Sequence, residues 1–420
     1  MNFRKQNIFL FSIILTCLLF SCKDSRWGGQ SPLKKVSTHN QPIQQQLKTT
    51  FDIGNGIYAS NEFAGARLNG IVLSNDTIVA LINPENTPIN SSPWYSFKIW
   101  SNSEQTIQLR LSYLHGVKHR YYPKLSHDGI VWNNLDSANF SKGFVKPENN
   151  ERELADNITI KLSIGTDTLW ISAQELITSK HVLNWTEKMA AKPFVSFTEI
   201  SNSTEGRPIN MLKIGNSDDK KMIIVLARQH PPEVSGYLAM KSFVETICEE
   251  NDIAIKFRKQ YNTYVVPLVN PDGVDNGHWR HNSGGIDLNR DWEHFNQIET
   301  QLIRDFMQNK IQTSGGKFYF GIDFHSTWED IYYTINPNLM GNMPGLVPKM
   351  IDSTSKEIQD YEANILPTED DVNKISSLTY FFYEFGAESL VYESGDETPR
   401  HFIERKAEIT AQKLIELMLE

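Results

Sequence analysis

An imidazole and a carboxylate stand three residues apart, at His230 and Glu233, directly after a continuous apolar run over residues 222–227. Because an apolar run without alternation is typical of a strand buried on both faces, we expect both side chains at the carboxyl end of an inner strand. Two prolines between them stiffen the turn. His325 ends a second apolar segment and supplies a third ligand. Two histidines and one carboxylate with an open fourth position are the ligand set of a catalytic zinc site.

Further polar side chains follow other apolar segments. The segment 263–269 runs into a loop that carries Arg280, Asn289 and Arg290, and a strand beginning near residue 388 ends at Glu393. In an open α/β sheet, ligands bind outside the carboxyl ends of the strands. The sequence therefore gathers its reactive side chains at one edge of an expected sheet.

The elements that must position these residues alternate between strands and helices from about residue 193 onward. This alternation predicts an α/β domain over 191–420 with a doubly wound mixed, mainly parallel sheet. The predicted strands lie near 211–214, 222–227, 263–269, 317–324 and 388–393. The predicted helices lie near 234–250, 296–310, 345–360, 376–385 and 401–419.

Residues 51–190 have a different texture, with short β-branched and aromatic runs separated by turn signals. This pattern predicts an antiparallel β-sandwich domain that precedes the α/β domain. Its aromatic residues suggest either core packing, which we favour, or a carbohydrate-binding platform. They are Trp94, Tyr95, Phe97, Trp100, Tyr121, Tyr122 and Trp132.

The first 22 residues combine Arg4 and Lys5 with an apolar stretch over 8–20, which is typical of an export signal. The ending LFSC resembles a bacterial lipoprotein signal, in which Cys22 is acylated. An ordinary secretory signal or an uncleaved anchor is the alternative. Residues 23–50 are polar without periodicity and are expected to form a flexible tether. We therefore expect a membrane-anchored lipoprotein of the cell envelope, periplasmic or surface-exposed.

Charge and cysteine content exclude two classes. The formal net charge of -9 offers no basic stripe for phosphates, so no nucleic-acid partner is expected. Beyond the leader, Cys248 stands alone, so no disulfide framework is expected in the body. We expect Cys248 to be a buried packing residue.

The residues above match a family. The sequence resembles the zinc carboxypeptidases of the carboxypeptidase A type in its His-x-x-Glu at 230–233, the stretch VNPDGVDNGHWRHNSGGIDLNRDW at 269–292, the strand-ending His325, and Glu393 within LVYES. Its layout is closest to the cytosolic carboxypeptidase branch, where a β-sandwich precedes the catalytic domain. PWYSFKIWS and YYPKLSHDGIVW are the matching pieces of that sandwich.

The resemblance implies one Zn²⁺ per chain, held by the three ligands named above, with Glu393 as the general base. It implies that Arg280 stabilises the tetrahedral oxyanion and contacts substrate. Asn289 and Arg290 are implied to bind the terminal carboxylate of the substrate, for which a guanidinium fork is suited.

Some assignments stay open. Two prolines replace an arginine that many members carry between the first His and Glu, so one substrate contact is absent. The family's substrate-contacting tyrosine corresponds to Tyr380 or Tyr383, and Tyr380 is our candidate. Arg290 has the alternative of a salt bridge to Asp287 or Asp291.

Two further alternatives concern neighbouring residues. His278 and His281 flank Arg280 and suggest a second metal site, but we favour loop-surface histidines. Glu393 has three rivals for the role of base. They are Glu384, Glu388 and Glu397.

The expected function is zinc-dependent hydrolysis of the C-terminal peptide bond of peptides or proteins. One alternative is a peptidoglycan stem-peptide amidase or carboxypeptidase of the same fold. Another is a non-catalytic lipoprotein that binds C-termini or glycans. The presence of both Arg280 and Glu393 argues against a loss of catalysis.

Overall fold

The computed structural model describes residues 27–31, 33–143, 156–369 and 375–420. The predicted signal peptide 1–22 and its lipidation site Cys22 lie outside these residues. Across the described ranges, no helix has the length and apolar character that a membrane span requires.

The N-terminal part of the described chain forms two β-sheets. The strands are β1 (Thr50–Gly54), β2 (Ile57–Ser60), β3 (Gly70–Ser74), β4 (Thr77–Ile82), β5 (Ser96–Ser101), β6 (Gln105–Tyr113), β7 (Lys124–Ser126), β8 (Asn133–Asn134), β9 (Phe140–Gly143), β10 (Asn157–Ile164) and β11 (Leu169–Ser172). One sheet has the order β1-β2-β5-β11-β7-β8, and the other has the order β3-β4-β6-β10-β9. Their strands pair antiparallel apart from β4 and β6, which are parallel.

The two sheets share one apolar core, which Ile160 of β10, Leu109 of β6 and Phe97 of β5 help to form. The strands alternate buried and exposed side chains, because successive residues point to opposite faces. Of the seven aromatic residues noted above, Tyr95, Phe97 and Tyr121 are fully buried. Their burial agrees with core packing.

The C-terminal part mixes strands and helices. The helices are α1 (Ser179–Ala190), α2 (Val234–Ile247), α3 (Asp252–Gln260), α4 (Pro271–Asp275), α5 (Ile298–Ser314), α6 (Leu346–Glu357), α7 (Ser377–Phe385) and α8 (Arg400–Leu419). The strands are β12 (Val195–Asn202), β13 (Pro208–Ile214), β14 (Lys221–Ala227), β15 (Asn262–Val266), β16 (Lys317–Thr327), β17 (Ile331–Thr334), β18 (Ile365–Pro367) and β19 (Glu388–Gly395).

These strands form one mixed sheet with the order β12-β13-β15-β14-β16-β19-β17-β18. The four central strands, β15, β14, β16 and β19, run parallel. Helices cover both faces: α2, α6 and α8 pack on one, and α5 and α7 on the other. The predicted α/β fold with a mixed, mainly parallel sheet is confirmed.

Strand β14 explains why an apolar run without alternation was visible in the sequence. Ile223 and Val225 point into the layer under α2 and α8, while Ile224 and Leu226 point into the layer under α5. Each of these side chains is fully buried. Burial on both faces fixes the strand centrally, so its carboxyl end opens at the middle of the sheet edge.

Within the predicted tether 23–50, Thr38 and Gln46 contact the folded body. Thr38 is buried, its carbonyl oxygen accepts a 2.7 Å hydrogen bond from Gln297 Nε2, and its hydroxyl accepts one from Asn296 Nδ2 at 2.8 Å. Gln46 Nε2 donates to the carbonyl oxygen of Ala66 at 2.5 Å. Amide side chains make these contacts, and such contacts leave no hydrophobic period in the sequence; the flexible tether over 23–50 stays a prediction.

Candidate metal centre and active site

Arg228 opens the turn that carries the first two candidate ligands. Its backbone is left-handed, with φ of 58°, and its buried guanidinium donates to the carbonyl oxygen of Pro231 at 2.6 Å. This hydrogen bond closes the turn on itself. Glu233 consequently stands immediately before α2, facing the strand that carries the third ligand.

Gly236 brings α2 against β16. A Cβ atom at Gly236 would lie 2.4 Å from the carbonyl oxygen of His325, which is too close for any other residue. The Gly236 N–H donates to Ser326 Oγ at 2.7 Å. This close approach places Glu233 beside His325.

Three buried side chains, His230, Glu233 and His325, converge at this edge. Their ligand atoms lie within 4.8 Å of one another and form a group that could hold a metal ion. His230 Nδ1 is 2.9 Å from Glu233 Oε1, His325 Nδ1 is 2.7 Å from Glu233 Oε2, and the two Nδ1 atoms are 3.1 Å apart. Two imidazole nitrogens and a carboxylate aimed at one point are the donor set that Zn²⁺ prefers.

Two further carboxylates orient the imidazoles from behind. His230 Nε2 lies 2.9 Å from Asp287 Oδ1, and His325 Nε2 lies 2.9 Å from Asp323 Oδ2. Each ring therefore turns its Nδ1 toward Glu233, as ligating histidines do when a carboxylate holds the other nitrogen. Sequence analysis missed these roles for Asp287 and Asp323, although Asp323 stands two residues before His325 on the same strand.

Electrostatics favour charged ligands in this pocket. Burial opposes ionisation of Glu233, but the two imidazoles outweigh burial and hold the pKa of its carboxyl well below the usual range. Burial also opposes protonation of His325, yet Asp323 and Glu233 raise its pKa well above the usual value. The Glu233 carboxyl is therefore held in its charged form, which is the form that a metal ligand requires.

Glu393 lies beside the ligand group because β19 pairs in register with β16, with Glu393 opposite His325. Its side chain is buried, and its Oε2 has no hydrogen-bond partner among the described residues. Burial and the charge of Glu233 raise the pKa of the Glu393 carboxyl to about 8. Gln30 Nε2 lies 3.4 Å from Glu393 Oε1. A carboxyl in this position is suited to exchange a proton beside the metal ligands.

Arg280 reaches the same pocket from the loop after α4. Its Nε donates to Asp287 Oδ2 at 2.6 Å, and its Nη1 lies 3.9 Å from Glu233 Oε1. The side chain is buried, and although burial opposes its charge, Asp287 and Glu233 raise the pKa of Arg280 further. The structure therefore places a permanent positive charge next to the ligand group.

Asn289 and Arg290 lie on a short 3₁₀ turn, Leu288–Arg290, which Asp287 caps. Asn289 Oδ1 accepts from the backbone N–H of Ser377 at 3.1 Å. Arg290 Nη1 donates to the carbonyl oxygen of Asn289 at 2.8 Å and is 3.8 Å from Asp287 Oδ2. Of the alternative ion-pair partners, only Asp287 is within salt-bridge distance of Arg290 in the described part of the chain.

Tyr380, the candidate substrate-binding tyrosine, is not brought to the ligand group. Its buried ring packs against Trp292, Phe295 and Phe385. Burial, and after it the charge of Glu393, raise the pKa of the phenol of Tyr333 on β17, so Tyr333 lies within the electrostatic range of Glu393. Sequence analysis did not single out Tyr333, since β17 has only four residues and shows no clear strand pattern.

His278 and His281, which flank Arg280, were expected at the surface of the loop, but both are buried. Among the described residues, only His230, Glu233 and His325 form a group suited to a metal. His278 Nδ1 instead contacts the carbonyl oxygen of His281 at 3.0 Å.

The three rivals of Glu393 lie elsewhere. Glu397 Oε1 accepts from the backbone N–H of Tyr122 at 3.0 Å, so it faces the sandwich. Glu388 begins β19, at the opposite end from Glu393, and accepts from the Gly341 N–H at 3.1 Å. Glu384 lies on α7 and not at a strand end.

Comparison with known proteins also points to zinc carboxypeptidases. A family model described as "Zinc carboxypeptidase" matches residues 182–380. An uncharacterised protein of Zymomonas mobilis is 34% identical over 136 residues, covering 32% of this chain and 35% of that protein. Cytosolic carboxypeptidase 6 of Caenorhabditis elegans is 32% identical over 115 residues, covering 26% of this chain and 25% of that protein. The chain therefore spans only about a third or less of these curated relatives.

Solved structures share the fold over most of the chain. A metallo-carboxypeptidase from Burkholderia cenocepacia superposes with a TM-score of 0.69 at 18% identity, covering 86% of this chain and 98% of that one. A metallo-carboxypeptidase from Pseudomonas aeruginosa gives a TM-score of 0.67 at 17% identity, with coverage of 86% and 98%. Residues 182–380 thus match a zinc carboxypeptidase domain, and most of the chain shares its fold with these metallo-carboxypeptidases.

Proposed function

We propose that this protein is a zinc-dependent metallocarboxypeptidase that hydrolyses the C-terminal peptide bond of peptides or proteins. The observation that carries the proposal is the convergence of His230, Glu233 and His325 beside the buried carboxyl of Glu393. The match of residues 182–380 to a zinc carboxypeptidase domain supports the choice of zinc.

The ligand group holds one Zn²⁺ per chain. When bound, zinc lowers the pKa of water and polarises a carbonyl group. Glu393 accepts a proton from the attacking water and returns it to the leaving amine. Its burial and its place opposite His325 support this role, because a base must lie within reach of the water it deprotonates.

Arg280, Asn289 and Arg290 supply the groups that fix the substrate. Arg280, held through Asp287, stabilises the negative oxygen that develops on the scissile carbonyl. Arg290 and Asn289 bind the terminal carboxylate, which selects the last peptide bond for hydrolysis. Their shared 3₁₀ turn beside Asp287 supports a common task.

A library of peptides that differ in their C-terminal residue tests this function, with muropeptides assayed in parallel. Release of single C-terminal residues from the library supports the proposal, and cleavage of muropeptides alone would make the chain a peptidoglycan hydrolase. Glu393→Gln is expected to keep about one zinc per chain while losing nearly all activity. Glu388→Gln, at the other end of the same strand, is the matched control and is expected to stay active.

We further propose that the protein is a lipid-anchored protein of the cell envelope. The basic start, the apolar stretch over 8–20 and Cys22 support this location. Cys22→Ala is expected to move the protein from the membrane fraction to the soluble fraction. Unchanged membrane association of this variant would contradict acylation at Cys22.

A further inference from the structure

The loop that carries Arg280, which we call the Arg280 loop (residues 277–282), is held by a carboxylate of the other domain. Glu85 follows β4 of the sandwich and is fully buried. Glu85 Oε2 accepts from the backbone N–H of Trp279 at 2.7 Å. Glu85 Oε1 accepts from those of Arg280 at 3.1 Å and His281 at 2.8 Å. One side chain thus caps three successive peptide groups of the loop.

The buried charge of Glu85 is compensated locally. Arg67 Nη2 lies 3.8 Å from Glu85 Oε2, and His281 Nδ1 lies 3.5 Å from Glu85 Oε1. Burial opposes ionisation, but His278, His281 and Arg67 outweigh it and lower the pKa of Glu85. A carboxylate that is charged and fully desolvated makes strong, directional hydrogen bonds to peptide N–H groups.

Asn86 adds two contacts from the same segment. Its Oδ1 lies 2.5 Å from His281 Nδ1, and its Nδ2 donates to the carbonyl oxygen of Gly285 at 3.1 Å. The sandwich therefore holds both the Arg280 loop and the chain that follows it. Within the α/β part, the His278 N–H donates to the carbonyl oxygen of Gly273 at 2.9 Å and the Asn282 N–H to that of Ile286 at 3.0 Å, so these bonds hold the two ends of the loop.

This clamp determines where Arg280 points. Three peptide N–H groups aimed at one anion fix the backbone on both sides of the Arg280 Cα atom. At the far end of the side chain, Nε is bound to Asp287 at 2.6 Å, and Nη1 lies 3.9 Å from Glu233. Glu85 thus holds the Arg280 backbone and Asp287 holds its guanidinium, and together they pre-organise the positive charge.

We propose that Glu85 is a positioning residue for Arg280, by which the sandwich domain sets the stabilisation of the reacting carbonyl oxygen. The inference rests on the proposed hydrolytic function and deepens it. Glu85 contacts neither the metal ligands nor Glu393 in the described structure, so its effect on catalysis passes through Arg280. Its substitution should therefore affect the transition state and leave metal binding intact.

The test replaces Glu85 in the full, zinc-loaded chain. Glu85→Gln keeps the size of the side chain but turns an amide NH₂ toward peptide N–H groups. We expect kcat to fall by about tenfold to a hundredfold, with KM within about twofold and zinc content unchanged. Glu175→Gln is the control, because it removes an inter-domain ion pair, Glu175 with Arg400 at 2.8 Å, that does not touch the Arg280 loop. This control is expected to keep its kcat.

A double-mutant cycle separates positioning from general stability. If Glu85 acts through Arg280, Glu85→Gln should change kcat by less than about twofold when Arg280→Ala is already present. Equal losses in both backgrounds would overturn the proposal, as would a folded Glu85→Gln variant with wild-type kcat. Should Glu85→Gln fail to fold, Glu85→Asp takes its place, since it keeps the charge but cannot reach all three N–H groups.

Hydrogen exchange provides a readout that needs no turnover. We expect the N–H groups of residues 279–281 to exchange at least about tenfold faster in Glu85→Gln than in wild type, with unchanged exchange in Glu175→Gln. Unchanged exchange in Glu85→Gln would refute the clamp even in an active enzyme. Failure of the wild-type protein to hydrolyse any peptide would instead refute the proposed function.

Discussion

Asp287 and Asp323 each hold one histidine of the ligand group, but only Asp287 also holds Arg280, and this difference makes a sharp prediction. Asp287 Oδ1 lies 2.9 Å from His230 Nε2 while its Oδ2 accepts from Arg280 Nε at 2.6 Å. Asp323 lies 2.9 Å from His325 Nε2. Replacing either aspartate with asparagine should loosen one imidazole, but only the first change should also release the guanidinium.

The magnitudes follow from these contacts. Loss of a carboxylate behind a ligating histidine typically lowers metal affinity about 10–100-fold, or about 1.4–2.8 kcal/mol, so both variants should bind zinc more weakly. At saturating zinc, Asp287→Asn should still lose about tenfold or more in kcat, because Arg280 has lost a charge-assisted hydrogen bond. Asp323→Asn should recover kcat to within about threefold of wild type.

Chelator competition measures the zinc affinity of each variant, and steady-state kinetics with excess zinc measures kcat. Wild-type zinc affinity in both variants would refute the assignment of the two aspartates to the imidazoles. Equal losses of kcat at saturating zinc would refute the separate role of Asp287 in holding Arg280.

Other residues give further tests. Gly236→Ala is expected to weaken zinc binding and lower the melting temperature, because its Cβ would lie 2.4 Å from the His325 carbonyl oxygen; wild-type values for both would contradict the close approach. Arg120→Met should lower the melting temperature without abolishing zinc binding, because its guanidinium pairs with Asp396 at 2.6 Å, between the N-terminal sheets and the mixed sheet; an unchanged melting temperature would argue against this pair. Glu299→Gln should stabilise the chain at pH 8 but not at pH 4, since burial raises the pKa of Glu299 from 4.5 to about 7. Between about pH 4.5 and 7 the folded chain retains the Glu299 proton while the unfolded chain loses it, so the free energy of unfolding of the wild-type chain falls by up to about 3 kcal/mol. Equal changes of the melting temperature by Glu299→Gln at pH 4 and pH 8 would contradict this linkage.

The sequence was informative where one physical signal dominated. The apolar run of β14 predicted a strand buried on both faces, and His230 and Glu233 lie just after its carboxyl end as expected. His325 and Glu393 were predicted because they also lie near the carboxyl ends of apolar strands, and β16 and β19, which carry them, are neighbours in the sheet. Strand ends in a parallel sheet meet at one edge, so local patterns were sufficient to gather these groups.

Contacts between distant segments left no such signal. Glu85 reaches the Arg280 loop from 195 residues away, and nothing in its neighbourhood marks it as buried. Asp323 stands inside an apolar strand, where its role depends on the imidazole beside it. Tyr380 was a candidate because the resembling family has a tyrosine upstream of its general base, but its ring packs into the core against Trp292. Side-chain direction and packing between distant segments decide these roles, and neither leaves a periodic pattern in the sequence.

The central claim is that two imidazoles and one carboxylate of this chain hold a single zinc ion. X-ray absorption at the zinc edge of the purified protein measures the metal and its donor atoms together. We expect about one zinc per chain, coordinated by two imidazole nitrogens and by oxygen, without sulfur. A chain that retains no zinc, or zinc bound through sulfur or without imidazole, would contradict the claim.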